Sequence, residues 1–388
     1  MIKRQAQSLA HVLARGFPIV AITGPRQSGK TTLARALFSG RAYVTLEDPV
    51  EKQYASADPR GFLARFPEGA VIDEIQRCPD LFSYLQGLVD SRRRMGDFIL
   101  TGSQQFGLRS GISKSLAGRV GLVQLLPFSF DELQAAGRSP VSLDDALWHG
   151  SYPPLFDREI SPHLWFSNYV STYVERDVRQ LLAVRDLDLF QRFVKLCAAR
   201  TGQLLNLSAL AADCGISNTA AREWLSVLET SYLVMRLPPY FRNFGKRLVK
   251  TPKLYFLDVG LAAWLLGIRD AETMNTHAMR GALFETWVVS ELVKQRFNTG
   301  QPLDLHFWRD NVGREVDVLF EREGRLQPVE IKSGATFVAD WLAAANKWAA
   351  FAGDAAQSPW IIYGGSDSYV RENARVIGWR DIAGLSVT

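Results

Sequence analysis

Short apolar runs without regular alternation set the rhythm of the first third of the chain, within residues 17–22, 69–75, 97–104 and 120–126. Runs of this length without alternation predict strands buried on both faces, as in a parallel sheet sandwiched by helices. Residues 32–38 carry helical spacing directly after the first run. Beyond Pro153-Pro154 and Pro162, helical patterns take over. Residues 207–217 and 218–228 read as two helices around a tight turn at Gly215. Ala211 is small enough for close crossing, and Ser217 or Asn218 caps the second helix. Residues 233–253 read as a β-rich hairpin, and 280–292 as an apolar helix interrupted by Glu285. Residues 305–309, 315–320 and 326–332 read as successive strands, and 341–351 as an amphipathic helix with Trp341 and Trp348 turned to the core. The chain therefore reads as α/β in three segments: 1–160, 161–265 and 266–388.

The turn after the first run is Gly24-Pro25-Arg26-Gln27-Ser28-Gly29-Lys30-Thr31, followed by Thr32. It matches G-x-x-x-x-G-K-[ST] between a strand and a helix, the context in which that pattern is a phosphate cradle. Gly24 and Gly29 allow backbone conformations and close approach that a side chain would forbid. The helix opening at Lys30 offers unsatisfied N–H groups and a positive dipole end to an anion. Lys30 is expected to reach the outer phosphates of ATP, and the Thr31 hydroxyl to ligate Mg2+. The plain alternative, a turn that caps a helix and binds nothing, is opposed by both flanks.

Such a cradle needs acids nearby, and the run at 69–75 ends in Asp73 and Glu74. Carboxylates at the carboxyl end of a strand sit where α/β sheets bind ligands. Asp73 is expected to hold the metal and Glu74 to polarise water. Thr101, Ser103 or Gln104, after the third run, are candidates to sense the γ-phosphate, although such residues are also ordinary turn formers. Arg119 is a candidate arginine finger, in cis or across a subunit boundary, which would imply a homo-oligomer.

The strings GPRQSGKTTL, VIDEIQRCPDL, ILTGSQQF, SLAGRV and LLPFSFDEL together resemble the AAA-type ATPases of the prokaryotic "ATP-binding protein" family. Gly150-Ser151-Tyr152-Pro153 and the stretch from Tyr173 to Val178 are similar to that family's linker segments, so the resemblance covers nearly the whole chain. It implies a P-loop AAA-type ATPase domain with a C-terminal domain attached.

The helix pair and the hairpin after it have the make-up of a winged helix. Basic residues Arg242, Lys246, Arg247, Lys250 and Lys253 are interleaved with Tyr240, Phe241 and Phe244 in the wing, and Arg222 lies on the second helix. DNA is the expected partner, held by wing–phosphate contacts more than by base reading, since Glu223 and few cations mark the helix.

In the last segment Asp317 lies within an apolar strand, and Glu330 and Lys332 project from one face of the next. Clustered carboxylates with a nearby cation suit metal-dependent phosphodiester cleavage. Their order resembles the PD-(D/E)xK nuclease superfamily, which implies a restriction-endonuclease-like fold. The resemblance makes Asp317, Glu330 and helix residue Glu285 metal ligands and Lys332 the charge stabiliser. Gly313 and Arg314 stand where that pattern usually has proline. Asn346 or Lys347 could reach the same site. The alternative is a solvated Glu/Lys pair on an amphipathic edge strand.

Composition adds little further. A net charge of +5 suits a polyanionic partner without requiring one. Cys78, Cys197 and Cys214 lack metal-ligand spacing and read as reduced thiols. No apolar stretch suits a signal peptide or membrane span, so no membrane partner and a cytoplasmic location are expected. The leading reading is a Mg-dependent ATPase acting on DNA. The competing readings are a nucleotide-dependent switch or toxin-like regulator whose last domain binds a partner without cleaving, and, more weakly, a small-molecule kinase.

Overall fold

In the computed structural model, which describes residues 2–103, 115–174, 187–240 and 250–385, the apolar runs of the first segment stand side by side. They form a five-stranded sheet of β1 (Ile19–Thr23), β2 (Ala42–Thr45), β3 (Ala70–Asp73), β4 (Phe98–Gly102) and β5 (Val120–Gln124), in the order β2-β3-β4-β1-β5. Every pairing is parallel. Alternate residues of β1 feed opposite cores. Ile19 and Ala21 pack with Phe62, Leu81 and Phe82, whereas Val20 and Ile22 pack with Ala6, Ala10, Leu33 and Ala34. Burial on both faces is why these strands read as continuous apolar runs. This is an α/β fold with a parallel-sheet P-loop domain. The edge strand β2 escaped sequence reading, being short and exposed at Ala42 and Tyr43.

The chain divides into two compact units. The first comprises Met1–Phe128 with the short returns Thr230–Tyr232 and Phe297–Gln301, and the second holds the remainder. The second unit contains helices Leu187–Ala198, Leu207–Cys214 and Asn218–Thr230, the last of which runs into the first unit at its end, with a three-stranded sheet in the order β6-β8-β7. Its strands are β6 (Gln203–Leu204), β7 (Val234–Leu237) and β8 (Lys253–Phe256). Gly215, in a left-handed conformation, ends Leu207–Cys214, and Ser217 Oγ accepts from Ala220 N to cap the helix that follows.

The same unit holds a six-stranded sheet in the order β13-β14-β12-β11-β10-β9. Here β9 is His306–Arg309, β10 Glu315–Arg322, β11 Arg325–Lys332, β12 Trp360–Tyr363, β13 Tyr369–Arg371 and β14 Ala374–Gly378. Strands β9, β10 and β11 are antiparallel, and β11 pairs β12 in parallel through the helix Leu342–Ala352. Trp348 is fully buried beneath that helix with Trp308, Val316 and Leu319, while Lys347 is exposed. The helix Arg280–Thr299 is longer than its apolar core suggested. Among the described residues no helix is long and apolar enough to cross a membrane.

Candidate functional site

The first site is built at the carboxyl edge of the parallel sheet. β1 stops at Thr23 because the next residue must adopt φ +154°, and a Cβ on Gly24 would stand 2.0 Å from the Leu125 carbonyl oxygen. Only glycine fits there. Gly29 then takes φ 90° and launches the helix Lys30–Leu37, whose first-turn N–H groups lack intrahelical partners. The Ser28 hydroxyl is buried without a hydrogen-bond partner, and the Lys30 ammonium donates to Pro25 O at 2.6 Å within the loop.

Asp73 ends β3 and faces this helix. It accepts from Thr31 Oγ1 at 3.0 Å, from Tyr43 OH at 2.9 Å and from Thr101 Oγ1. Burial and the Asp73 charge push the Tyr43 phenol up to about 12, so it stays a donor. A hydroxyl and a carboxylate 3.0 Å apart beside a helix N-terminus are the hard oxygen donors that Mg2+ takes, so the residues present fit that ion. Glu74 follows in the left-handed region at φ 54°, a strained conformation for a residue with a side chain. Its carboxylate accepts from Gln76 and from Ser103 Oγ at 3.3 Å, which fixes it beside the Asp73 tip. The structure thus brings Lys30, Thr31, Asp73, Glu74, Thr101 and Ser103 together. Gln104 lies outside the described residues.

Arg119 is a correction. It immediately precedes β5, which pairs with β1 in parallel, and Ile19 N donates to its carbonyl at 3.2 Å. It therefore sits at the amino edge of the sheet, a strand length of roughly 17 Å from the cradle. Its guanidinium is held by Asp90 at 2.6 and 2.8 Å. A finger acting within its own subunit is ruled out by this placement.

Besides Tyr43, Arg4 and Tyr232 belong to this site without a motif to reveal them. Arg4 is buried and donates to Ser28 O at 2.7 Å and Leu126 O at 2.6 Å, pinning the loop from behind. Tyr232 places its hydroxyl 2.7 Å from Thr23 Oγ1, one residue before Gly24, and takes a longer contact from Gln124.

A second cluster forms in the other unit, where β10 parts from β11. Strand pairing runs through Val318 and Val329, and the Ile331 N–H donates instead to Asp317 Oδ2 at 2.8 Å. On its other side β10 carries a bulge against β9 between Val316 and Leu319, a device that re-aims side chains. Glu285, Glu315 and Asp317 consequently bring carboxylate oxygens within 4.8 Å of one another. Lys332 lies 3.8 Å from Asp317 Oδ2 and also pairs with Glu330. Glu330 Oε2 is buried with no hydrogen-bond partner. Glu315 was missed by sequence reasoning, although its position two residues before Asp317 was a signal.

Lys253 is the second correction. The sequence placed it in a basic wing, yet it is 2% exposed, and its ammonium pairs with Glu285 Oε1 at 2.8 Å and with Glu315. Tyr255, two residues along β8 on the same face, also donates to Glu285. The oxygens are of the kind a divalent ion takes, but an ammonium already lies among them. With Lys253 in place the cluster does not fit a second cation. Of the DNA candidates, Arg222 and Lys250 are exposed, whereas Arg242, Lys246 and Arg247 lie outside the described residues.

Burial, then repulsion from Asp317, pushes the Glu330 carboxyl up from 4.5 to about 8. The folded group keeps its proton across that interval while the unfolded one releases it. Its contribution to stability is therefore full below pH 4.5 and lost as pH rises through about 8. Denaturant titrations from pH 4.5 to 9 should show stability falling with pH, and Glu330→Gln should flatten the slope. Identical profiles for both proteins would refute this.

Residues 16–134 match the model of a family described as an AAA domain, and residues 141–272 and 280–382 match two domains of unknown function, DUF8612 and DUF4143. Uncharacterized protein Rv2008c of Mycobacterium tuberculosis is 35% identical over 324 residues, 82% of this chain and 71% of the relative. Protein Mb2031c of Mycobacterium bovis matches to the same extent. The chain belongs to this family. The AAA match covers the parallel sheet described above, so the chain carries a P-loop ATPase-like domain, the kind of domain that binds and hydrolyses nucleotide. Among solved structures, the Walker-type ATPase PABY2304 of Pyrococcus abyssi is similar at 13% identity with a TM-score of 0.45, covering 68% of this chain and 96% of that one. The RuvB Holliday junction branch migration motor of Thermotoga maritima is similar at 20% identity with a TM-score of 0.30, covering 60% and 87%.

Proposed function

We propose that this chain is a cytoplasmic ATPase that hydrolyses Mg-ATP at residues 24–32 and acts on DNA. The observation that carries the first half is the meeting of Thr31, Asp73 and Glu74 in front of a helix N-terminus. In this reading the amides of Gly29, Lys30, Thr31 and Thr32 hold phosphate oxygens, with Gly24, Pro25, Arg26, Gln27 and Ser28 shaping the cradle. Lys30 moves from the Pro25 carbonyl to the outer phosphates. Thr31 and Asp73 hold Mg2+, which supplies neutralisation of charge on those phosphates. Glu74, fixed by Gln76 and Ser103, polarises the attacking water. Arg119 enters only as a finger offered to a neighbouring copy, so a homo-oligomer is part of the proposal.

The second half rests on the second unit. Three helices with a three-stranded sheet in the order β6-β8-β7 support a winged-helix reading. Of the basic residues in the stretch between β7 and β8, Lys250 is exposed and open to a phosphate. The grouping of Asp317, Glu330 and Lys332 on β10 and β11 supports a nuclease-like reading of the last domain. A second reading is favoured by Lys253, whose ammonium neutralises the cluster as it stands: the domain binds DNA or a protein partner without cutting.

Turnover of ATP with and without linear, nicked and branched DNA tests the proposal. DNA should raise the rate, and raising salt should abolish the gain because phosphate contacts release counterions. Basal turnover unaffected by any nucleic acid would overturn the DNA half and leave the ATPase half standing.

A further inference from the structure

An ammonium removed from water needs counter-charge at close range, since an unpaired buried ion is penalised by several kcal/mol. Lys253 finds it in Glu285 and Glu315, with Asp317 also acting on it. These are the same three carboxylates whose oxygens converge closely enough to ligate one ion. Around them, Arg309 pairs with Glu315 at 3.0 Å, Lys332 serves Asp317 and Glu330, and Tyr255 donates to Glu285. The Phe307 ring lies 5.6 Å from the Lys253 ammonium. Glu330, 6% exposed, keeps its unpartnered Oε2 in this neighbourhood, where Asp317 and Glu285 both act on its charge.

We propose that Lys253 is a tethered cation occupying a divalent-metal site formed by Glu285, Glu315 and Asp317, which admits Mg2+ or Mn2+ only when that lysine is withdrawn. The donors are all carboxylate oxygens, the chemistry that hard divalent cations select. They stand on a long helix and a sheet strand, whereas the ammonium comes from the first residue of a short one. Lys253 pairs with Leu237 and Leu204 at the end of its ladders. Strand ends open at lower free energy than the middle of a sheet. The residues just before it belong to the connection that carries exposed Lys250. A polyanion drawing on that connection would pull the strand end outward and uncover the carboxylates. This last step rests on the DNA reading above, but the closed site does not.

The test uses the whole chain, Mn2+ as the only added ligand, and no nucleotide or DNA, so its failure is separate from failure of the ATPase or DNA readings. Mn2+ binding is read by electron paramagnetic resonance for wild type, Lys253→Met, Lys253→Arg and Lys253→Met/Glu315→Gln. Lys253→Met should gain one Mn2+ relative to wild type, and restoring a cation with arginine should block that gain. The double variant should bind the added Mn2+ about tenfold more weakly or worse, as loss of a supporting ligand does in metal sites. Lys253→Met that folds only when Mn2+ is present supports the site equally. Lys253→Met that stays unfolded at saturating Mn2+, or equal stoichiometry in all four proteins, would overturn it.

Discussion

Replacing Lys30 by alanine is expected to reduce ATP turnover about 10²–10³-fold, the loss seen when one preorganised transition-state contact is removed. The ammonium sits at the mouth of the cradle, on a helix whose first-turn amides face the same point. Lys30→Ala should fold normally, because the side chain caps its own loop and not the sheet core. Steady-state hydrolysis checks the effect. A variant that keeps turnover within a factor of about two would remove Lys30 from the chemistry.

The site was legible where chemistry repeats locally, and hidden where it depends on distant segments. Residues 24–31 and Asp73-Glu74 announced themselves because a phosphate cradle is a continuous backbone object and a strand tip is a fixed address. Arg4, Tyr43 and Tyr232 did not, since each reaches the cradle through tertiary contact from a segment with no motif of its own. Arg119 shows the limit from the other side. A plausible residue next to a strand was visible, but which edge of the sheet it occupies follows from parallel pairing with β1, which sequence alone left open. Lys253 was misread for a related reason. It closes a basic stretch, so composition made it solvent-facing, while strand alternation with Tyr255 turned both toward Glu285. Glu315 and Asp317 converge because a bulge reshapes β10, and bulges leave no reliable trace in apolar patterning.

Glu285→Leu is expected to lower folding stability by about 3–5 kcal/mol, the range for removing one member of a buried ion pair. The change strips the Lys253 ammonium of one of its two partners and leaves the fully buried Tyr255 hydroxyl without its acceptor. Desolvation and the same carboxylate hold the tyrosine well above its usual range, so it cannot respond by ionising. Burial, then repulsion from Asp317, raises Glu285 to about 6, with Lys253 and Tyr255 opposing the rise. Removing both charges together should therefore be far milder than removing one. Denaturant unfolding of Glu285→Leu, Lys253→Met and the double variant closes that cycle. Additive losses would mean that the two side chains do not stabilise one another and that the network described here is not a unit.

The account depends most on a triphosphate seated between the Lys30 helix and the Asp73–Glu74 strand tip. Titration calorimetry with a non-hydrolysable ATP analogue and Mg2+ tests it directly, using wild type and Asp73→Ala. Saturable binding at one site per chain, weakened in the variant only when Mg2+ is present, is the predicted result. No heat of binding in the wild type, or binding that Asp73→Ala and Mg2+ leave unchanged, would contradict it.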